Sequence, residues 1–84
     1  MNYCDRIPVK TQALQLSGTN VRVDCEGLEV SVLANGADVF LKAHESVSDE
    51  NAYVIKSGES VTLCGSFVLN SSSADVRMLF CKVI

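Results

Sequence analysis

The chain has 84 residues and a mass of 9.0 kDa, which suffices for one small domain with a single hydrophobic core. Apolar residues make up 48% of it and charged residues 20%, so the composition excludes a disordered tail. The net charge is −3 and the basic residues are scattered, which argues against a protein that binds nucleic acid through its phosphates.

The first half of the chain reads as a series of short β-strands. Residues 11–16 predict a strand, which the turn-forming residues 17–20 end. Residues 21–25 and 28–32 each alternate apolar and polar side chains with the period of two that a half-buried strand requires. Glu26-Gly27 interrupts this alternation, as a bulge or a tight turn would.

A hairpin is predicted next. Asn35-Gly36 stands between the β-patterned residues 30–33 and 39–41. Asn-Gly between two such runs is the strongest short signal for a hairpin, because a type I′ turn needs positive φ at both central positions. We therefore expect these two runs to pair with each other.

The second half of the chain also alternates short predicted strands with turns and loops. Residues 44–51 form a polar loop, residues 53–55 a short strand, and residues 56–59 a turn. Strands at 60–64, 67–69 and 76–83 follow, separated by a bend at Gly65 and a loop at 70–73. The prediction is an all-β fold, a small antiparallel β-sandwich or barrel of seven to eight short strands, in one domain spanning residues 1–84.

The alternation also predicts which side chains form the core. They lie on one face of their strands, at every second position. The predicted core residues are Val21, Val23, Val30, Val32, Val39, Leu41, Val61, Leu63, Val76, Met78 and Phe80. The five aromatic residues are interpreted as core residues too, because basic side chains do not interleave with them as in a single-strand nucleic-acid platform.

The four cysteines do not have the spacing of a structural metal site. Cys4, Cys25, Cys64 and Cys81 are far apart in sequence, and a structural zinc site usually takes ligands in close pairs. We expect four free thiols, with Cys25, Cys64 and Cys81 serving as small buried or half-buried apolar side chains within strands. No metal and no cofactor is predicted.

Nothing in the sequence forms a catalytic pattern. Asp49 and Glu50 are adjacent acids in a polar loop, where such residues usually only solvate the chain. His44 is the single histidine, and no nucleophile motif accompanies it. The protein is therefore expected not to be an enzyme, and no catalytic or cofactor-binding residue is predicted.

Two segments carry a family resemblance. Residues 55–63 match the pattern "polar-x-Gly-Glu-Ser-Val-x-Leu" after an isoleucine, and residues 74–80 contain "Val-Arg-x-Leu" in the closing strand. From about Val21 onward the order of features resembles small β-sandwich structural proteins of tailed bacteriophages and prophages. Residues 1–19 and the four cysteines fall outside that pattern.

The resemblance implies a virion protein, such as a capsid-decoration or other accessory assembly protein. It would act by self-association as a homo-oligomer and by docking on a phage capsid or tail protein, without nucleic acid or membrane. We expect it in the virion, or in the bacterial host cytoplasm during assembly, because residues 1–6 lack the features of a signal peptide. The alternative is a ligand-binding β module that recognises a sugar or peptide through loops 44–51 and 70–73.

The N-terminal residues lead to a separate prediction. Residues 1–9 are proposed to form an extended assembly arm, with Tyr3, Ile7, Pro8 and Val9 contacting a neighbouring subunit and residues 11–16 forming an edge strand. Pro8 favours an arm or an edge because proline lacks the N–H that an inner strand needs. The alternative is that the first strand closes the same sandwich.

Overall fold

The computed structural model describes residues 5–84, which form eight β-strands and a 3-10 turn at Asp49–Asn51. The strands are β1 (Arg6–Gln15), β2 (Val21–Asp24), β3 (Glu29–Leu33), β4 (Val39–Lys42), β5 (Tyr53–Ile55), β6 (Ser60–Leu63), β7 (Ser66–Asn70) and β8 (Asp75–Val83). The predicted all-β class with seven to eight short strands is confirmed.

The strands form two antiparallel sheets of four. Sheet A has the order β1-β8-β3-β6 and sheet B the order β2-β7-β4-β5. The first strand pairs with the last, the second with the seventh, the third with the sixth and the fourth with the fifth. Two further pairings, β3 with β8 and β4 with β7, complete the two four-stranded layers. This arrangement is the jelly roll, an eight-stranded form of the β-sandwich.

The core lies between the sheets and contains all the predicted residues. Most of them are buried, whereas Val21, Leu41, Val61 and Leu63 are half-buried and pack against the others. The inward face is therefore correct for the strands to which these residues belong. The core also takes in Leu16, Cys25, Ala34, Ile55, Phe67, Leu69 and Ala74.

The aromatic residues do not all belong to the core. Phe67 and Phe80 are buried between the sheets, as predicted. Phe40 is half-buried, and Tyr53 is 62% exposed at the start of β5. The prediction is wrong for Phe40, which lies on the outer face of sheet B beside Asn70, and for Tyr53, because β5 is an edge strand with no further strand of the described chain beside it.

The predicted hairpin at Asn35-Gly36 is wrong. β3 belongs to sheet A and β4 to sheet B, so this turn passes the chain from one layer to the other. Ala34 bonds to Glu59 and Gly58, and the Asn35 carbonyl accepts a hydrogen bond from the Asp75 amide at 2.8 Å. These long-range backbone bonds override the local turn preference.

The geometry expected of a type I′ turn occurs instead at Glu26-Gly27. Both residues have positive φ, 56° and 79°, and the Leu28 amide donates to the Cys25 carbonyl at 2.8 Å. The Asp24 carboxylate supports the turn by accepting a hydrogen bond from the Glu26 amide at 2.8 Å. This turn also joins the two sheets rather than two paired strands.

Candidate assembly surface

Strand β1 is an edge strand, and its outward backbone groups can be assigned. The Leu16 amide donates to the Ala74 carbonyl, so these residues form a hydrogen-bonded pair in the ladder with β8. In an antiparallel ladder such pairs alternate, which directs the backbone groups of Leu14, Gln12 and Lys10 towards β8. The N–H and C=O groups of Thr11, Ala13 and Gln15 therefore face away from the sheet.

The N-terminal part of this edge is blocked by its own sequence. The register with β8 shifts between Pro8 and Lys10, as at a β-bulge. Pro8 lacks an N–H, and such irregularities and prolines are devices that prevent pairing at an edge. The unprotected part of β1 is thus residues 11–15, which we call the open edge.

Strand β2, at an edge of sheet B, is protected differently. The Cys25 amide donates to the Gly65 carbonyl, so by the same alternation Arg22 and Asp24 direct their backbone groups outward. Both carry charges, which discourage the approach of another strand. At the other edge of sheet B, β5 has only three residues.

Sheet A has a second uncharged edge at β6. The Ala34 amide donates to the Glu59 carbonyl, which leaves the backbone groups of Ser60 and Thr62 facing outward. This strand has four residues, against ten in β1. Both unprotected edges of the described chain therefore belong to sheet A, and β1 has the longer one.

The outer face of sheet A bears a shallow groove of about 530 Å³. Leu33 and Leu79 line it and are 38% and 37% exposed. Thr11, Ala13 and Ser31 supply small side chains to the same groove. The groove is mostly apolar and runs to the open edge, so the edge and the face form one surface.

Arg77 is the charged side chain in this groove. Its guanidinium donates to the Asp75 carboxylate at 2.7 Å. This hydrogen bond lowers the pKa of Asp75 below its ordinary value and raises that of Arg77. The charge of Arg77 is therefore partly neutralised within its own strand.

The predicted arm residues lie on the same strand. Ile7, Pro8 and Val9 belong to β1, where Ile7 faces Lys82 and Pro8 faces Cys81 of the same chain. The segment from Arg6 onward thus closes its own sandwich, which is the alternative that the sequence left open. Ile7 and Val9 remain exposed, as do Val83 and Ile84 at the other end of the chain. Tyr3 lies outside the described residues, and contact of this end with another subunit stays a prediction.

A salt bridge crosses the strands next to these residues. The Arg6 Nε donates to the Glu29 carboxylate at 2.5 Å, linking β1 to β3 across β8. The hydrogen bond and the charge of Glu29 raise the pKa of Arg6. Both ends of β1 are thus tied into the sheet, by Arg6 at one end and by Leu16 at the other.

Lys10 covers the open side of the sandwich between β1 and β2. Its ammonium lies 4.6 Å from the centre of the Phe80 ring and 3.4 Å from the Glu26 carboxylate. A lysine in this position shields an aromatic ring from water with its methylenes while its charge stays in solvent. The side chain thus completes the core on the side opposite to the groove.

The outer face of sheet B is covered at Lys42 and Val68, whereas Val54 on the same face is 37% exposed. Lys42 is buried, and its ammonium lies 2.6 Å from the Asp49 carboxylate and 3.3 Å from Asn20 Oδ1. Asn70 donates to the same Asn20 oxygen at 3.0 Å. The interpretation of Asp49 as a merely solvated acid is wrong, because it fixes the 44–51 loop to the sheet. Short local hydrophobic or charge patterns could not have revealed this buried lysine.

The two loops of the ligand-binding alternative leave sheet B at opposite ends. β4 and β7 are antiparallel, so the chain after Lys42 leaves near the start of β7, whereas residues 71–73 leave near the start of β4. Ser71 is buried and bonded to the Asp38 carbonyl and the Ala74 amide. Ser71 thus bonds within its own chain, and Asn70 is the residue of this loop that shares Asn20 with Lys42.

The described cysteines, Cys25, Cys64 and Cys81, are free thiols. Cys25 is fully buried, and burial is the main cause that raises its pKa. Cys81 is also buried, but Cys64 is exposed, which contradicts its predicted burial. The reason is that β6 ends at Leu63, so Cys64 lies in the bend before β7. Cys4 lies outside the described residues, and its free thiol stays a prediction.

The remaining polar candidates do not gather into a catalytic or metal centre. His44 bonds through Nδ1 to the Ser46 hydroxyl within its own exposed loop, and Glu50 is exposed in the 3-10 turn. Within residues 5–84 no group of three metal-ligating side chains lies close enough to hold an ion. The same residues contain no helix long and apolar enough to span a membrane.

Comparison with protein-family profiles, curated proteins and solved structures found no match to this chain. The jelly-roll topology and the surface of sheet A are therefore the features from which its function must be argued.

Proposed function

We propose that this protein is a non-enzymatic structural component of a tailed-phage or prophage particle. It acts by associating with copies of itself and by docking on a capsid or tail protein, as a decoration or other accessory protein. The open edge of β1 and the apolar groove beside it make these contacts. The observation that carries the proposal is this uncharged edge, which no strand of residues 5–84 covers, on a sheet whose outer face leaves Leu33 and Leu79 exposed.

The topology supports the proposal by analogy. Eight strands in the order β1-β8-β3-β6 and β2-β7-β4-β5 form a jelly roll, an architecture of many viral capsid domains. Lectin domains and cupins share it, so the fold alone does not define a function. The resemblance of residues 55–63 and 74–80 to phage structural proteins favours the viral class among these.

The physical properties of the edge support it as well. A strand with unpaired N–H and C=O groups and no protective charge is prone to pair with another chain. Assembly proteins use this tendency through strand addition. Residues 11–15 have these properties, whereas Arg22 and Asp24 make the corresponding edge of sheet B unfavourable for the same contact.

The ligand-binding alternative is favoured less. Its two loops leave sheet B at opposite ends, and the buried Ser71 in one of them bonds to its own chain. A sugar or peptide site formed by both loops would need them to converge. The exposed Tyr53 beside the 44–51 loop is the side chain there best suited to such a ligand.

The test is the composition of particles. Phage or tail particles purified by density gradient from the source of this sequence should contain the chain in a fixed ratio to the major capsid or tail protein. A variant with Leu33→Asp and Leu79→Asp should fold but be missing from the particles, because two carboxylates would occupy the apolar groove. Glu45→Lys, on the exposed loop of sheet B, is the matched control and should remain incorporated. Native chain found only outside the particles would refute the proposal.

A further inference from the structure

We infer that the open edge of β1 pairs with the open edge of a second copy, antiparallel and about a two-fold axis at Ala13. This inference rests on the proposed assembly function and names the partner of that surface. The two sheets A would join into one continuous sheet, with β1 of each copy at its centre. Such a contact is isologous, because the same residues serve both subunits.

The position of the axis follows from the outward groups. Thr11, Ala13 and Gln15 direct their N–H and C=O groups away from β8. Centring on Ala13 places Thr11 opposite Gln15 of the second copy and Ala13 opposite its equivalent. All three residues then form hydrogen-bonded pairs, giving about six backbone bonds at two per pair.

Other registers use fewer of these groups. A shift towards the N-terminus places Gln15 opposite Val9, next to the irregularity between Pro8 and Lys10. A shift towards the C-terminus places Thr11 opposite Ser17, after β1 has ended at Gln15. The open edge is therefore bounded on both sides, and its midpoint is Ala13.

The side chains are compatible with this pairing. Ala13 is exposed and small, so two copies can approach at the axis without a clash. The three residues are uncharged. The two copies of Lys10 would be offset by about 20 Å along the strands, at about 3.4 Å per residue. The two copies of Arg77 would lie about 14 Å apart across three strand spacings, each paired with its own Asp75.

The pairing also joins the two apolar grooves. Thr11 and Ala13 line the groove on the outer face of sheet A, and Leu79 lies directly beside Thr11 on β8. In the dimer these faces would continue across the axis and form one surface of twice the area. A capsid or tail protein could then dock on both copies at once.

A head-to-tail contact between β1 and β6 is the competing arrangement. β6 also has an uncharged edge, at Ser60 and Thr62, but offers fewer residues than β1. The two-fold contact uses the longer edge twice and closes after two copies, whereas a head-to-tail contact continues into a ring or filament.

The test compares the same substitution on both edges of sheet A. Sedimentation equilibrium of the native chain should give a dimer. Ala13→Lys places two ammonium groups at the axis and should raise the dissociation constant at least tenfold, as edge lysines oppose strand pairing. Thr62→Lys, on the β6 edge, is the matched control and should leave it unchanged. Both sites are exposed, and thermal melting should show both variants folded.

Crosslinking provides a second readout. Residues directly opposite in a hydrogen-bonded pair have Cα atoms about 5.5 Å apart, within the range that a disulfide bridges. In a Cys4→Ser, Cys64→Ser background, Ala13→Cys should form a covalent dimer on mild oxidation, and Thr62→Cys should not.

The outcomes separate the two proposals. A native monomer, a dimer insensitive to Ala13→Lys, or crosslinking through Thr62→Cys would overturn the two-fold contact. A larger ring disrupted by Thr62→Lys would overturn it too while leaving the assembly function intact. A dimer of the expected behaviour that is never found in particles would refute the proposed function and leave the contact established.

Discussion

Sheets A and B differ in the exposure of their outer faces and in the protection of their edge strands. On sheet B the 44–51 loop is fixed over the buried Lys42 by Asp49, although Val54 on the same face stays 37% exposed. Its edges are a charged strand, β2, and a three-residue strand, β5. Sheet A leaves Leu33 and Leu79 exposed and has the ten-residue edge strand β1.

The difference concerns how well the edges of each sheet are protected against another strand. A small β-domain has four edges when it is built from two sheets, and each unprotected edge invites association. Here both edges of one sheet are protected, and the other sheet retains an uncharged edge next to an apolar face. Under the proposed function, this asymmetry directs self-association to the side of sheet A.

The largest contrast should appear in the chemistry of the thiols. Cys25 lies between the sheets, and burial raises its pKa, whereas Cys64 lies exposed outside them. An alkylating reagent should modify Cys64 about two to four orders of magnitude faster, because Cys25 reacts only after the domain opens. Timed alkylation followed by mass spectrometry measures both rates. Equal rates in the folded protein would contradict the core described here.

Truncation of two neighbouring residues of β8 compares the stability contributed by the core with that contributed by the outer face of sheet A. Phe80 is buried, so Phe80→Ala should lower the free energy of unfolding by about 3–5 kcal/mol. Leu79 points to the opposite face, and Leu79→Ala should cost less than about 1 kcal/mol. Denaturant unfolding gives both values. Similar costs for the two variants would mean that the face carrying Leu79 is covered.

One substitution should loosen the 44–51 loop, which covers Lys42 on sheet B. Asp49→Ala removes the carboxylate 2.6 Å from the buried Lys42 ammonium and leaves Asn20 as its remaining partner among those described. The half-exposed position of Asp49 limits the loss of stability to about 1 kcal/mol. Glu50→Ala, one residue further in the same turn, should change stability by less than about 0.5 kcal/mol. Hydrogen exchange should accelerate in residues 43–52 of the Asp49 variant alone, and an unchanged exchange rate would exclude this role.

The smallest effect concerns the turn between the sheets at residues 56–59. The Ser57 amide donates to Asp38 at 2.9 Å, and this bond, with Lys56, lowers the pKa of Asp38 below 3.8. A carboxyl group with a lowered pKa stabilises the fold above about pH 4, and this contribution is lost as the pH falls through the folded value. Asp38→Asn should therefore melt at a lower temperature than the native chain at pH 7 and show a smaller decrease on acidification.

The control for this pH effect is Glu45→Gln on the exposed loop, which should reproduce the native dependence of melting temperature on pH. The two variants should differ most in melting temperature at neutral pH, and the difference should shrink as the pH falls below about 5. An Asp38→Asn profile parallel to that of the native chain would show that the Ser57 bond does not contribute.

The strands from residue 21 onward and much of the core followed from the sequence alone, because alternation with a period of two is a local property. Val30 and Val32 could be assigned to one face without knowledge of what lies opposite them. The local sequence was a less reliable guide to the type and position of the turns. Asn35-Gly36 has the stronger local preference, but the two-residue turn with positive φ forms at Glu26-Gly27. Backbone bonds from Asp75 and Gly58 decide the path at residues 34–35.

The tertiary structure decided which strands share a sheet, and with it the candidate surface. β1 pairs with β8 from the other end of the chain, and no local pattern encodes so distant a partner. The burial of Lys42 and the exposure of Cys64 likewise depend on which loop covers which sheet. Composition and alternation thus determined that this chain forms a small all-β domain. Long-range pairing left residues 11–15 as an open edge, because the neighbours of a strand are set by the whole fold.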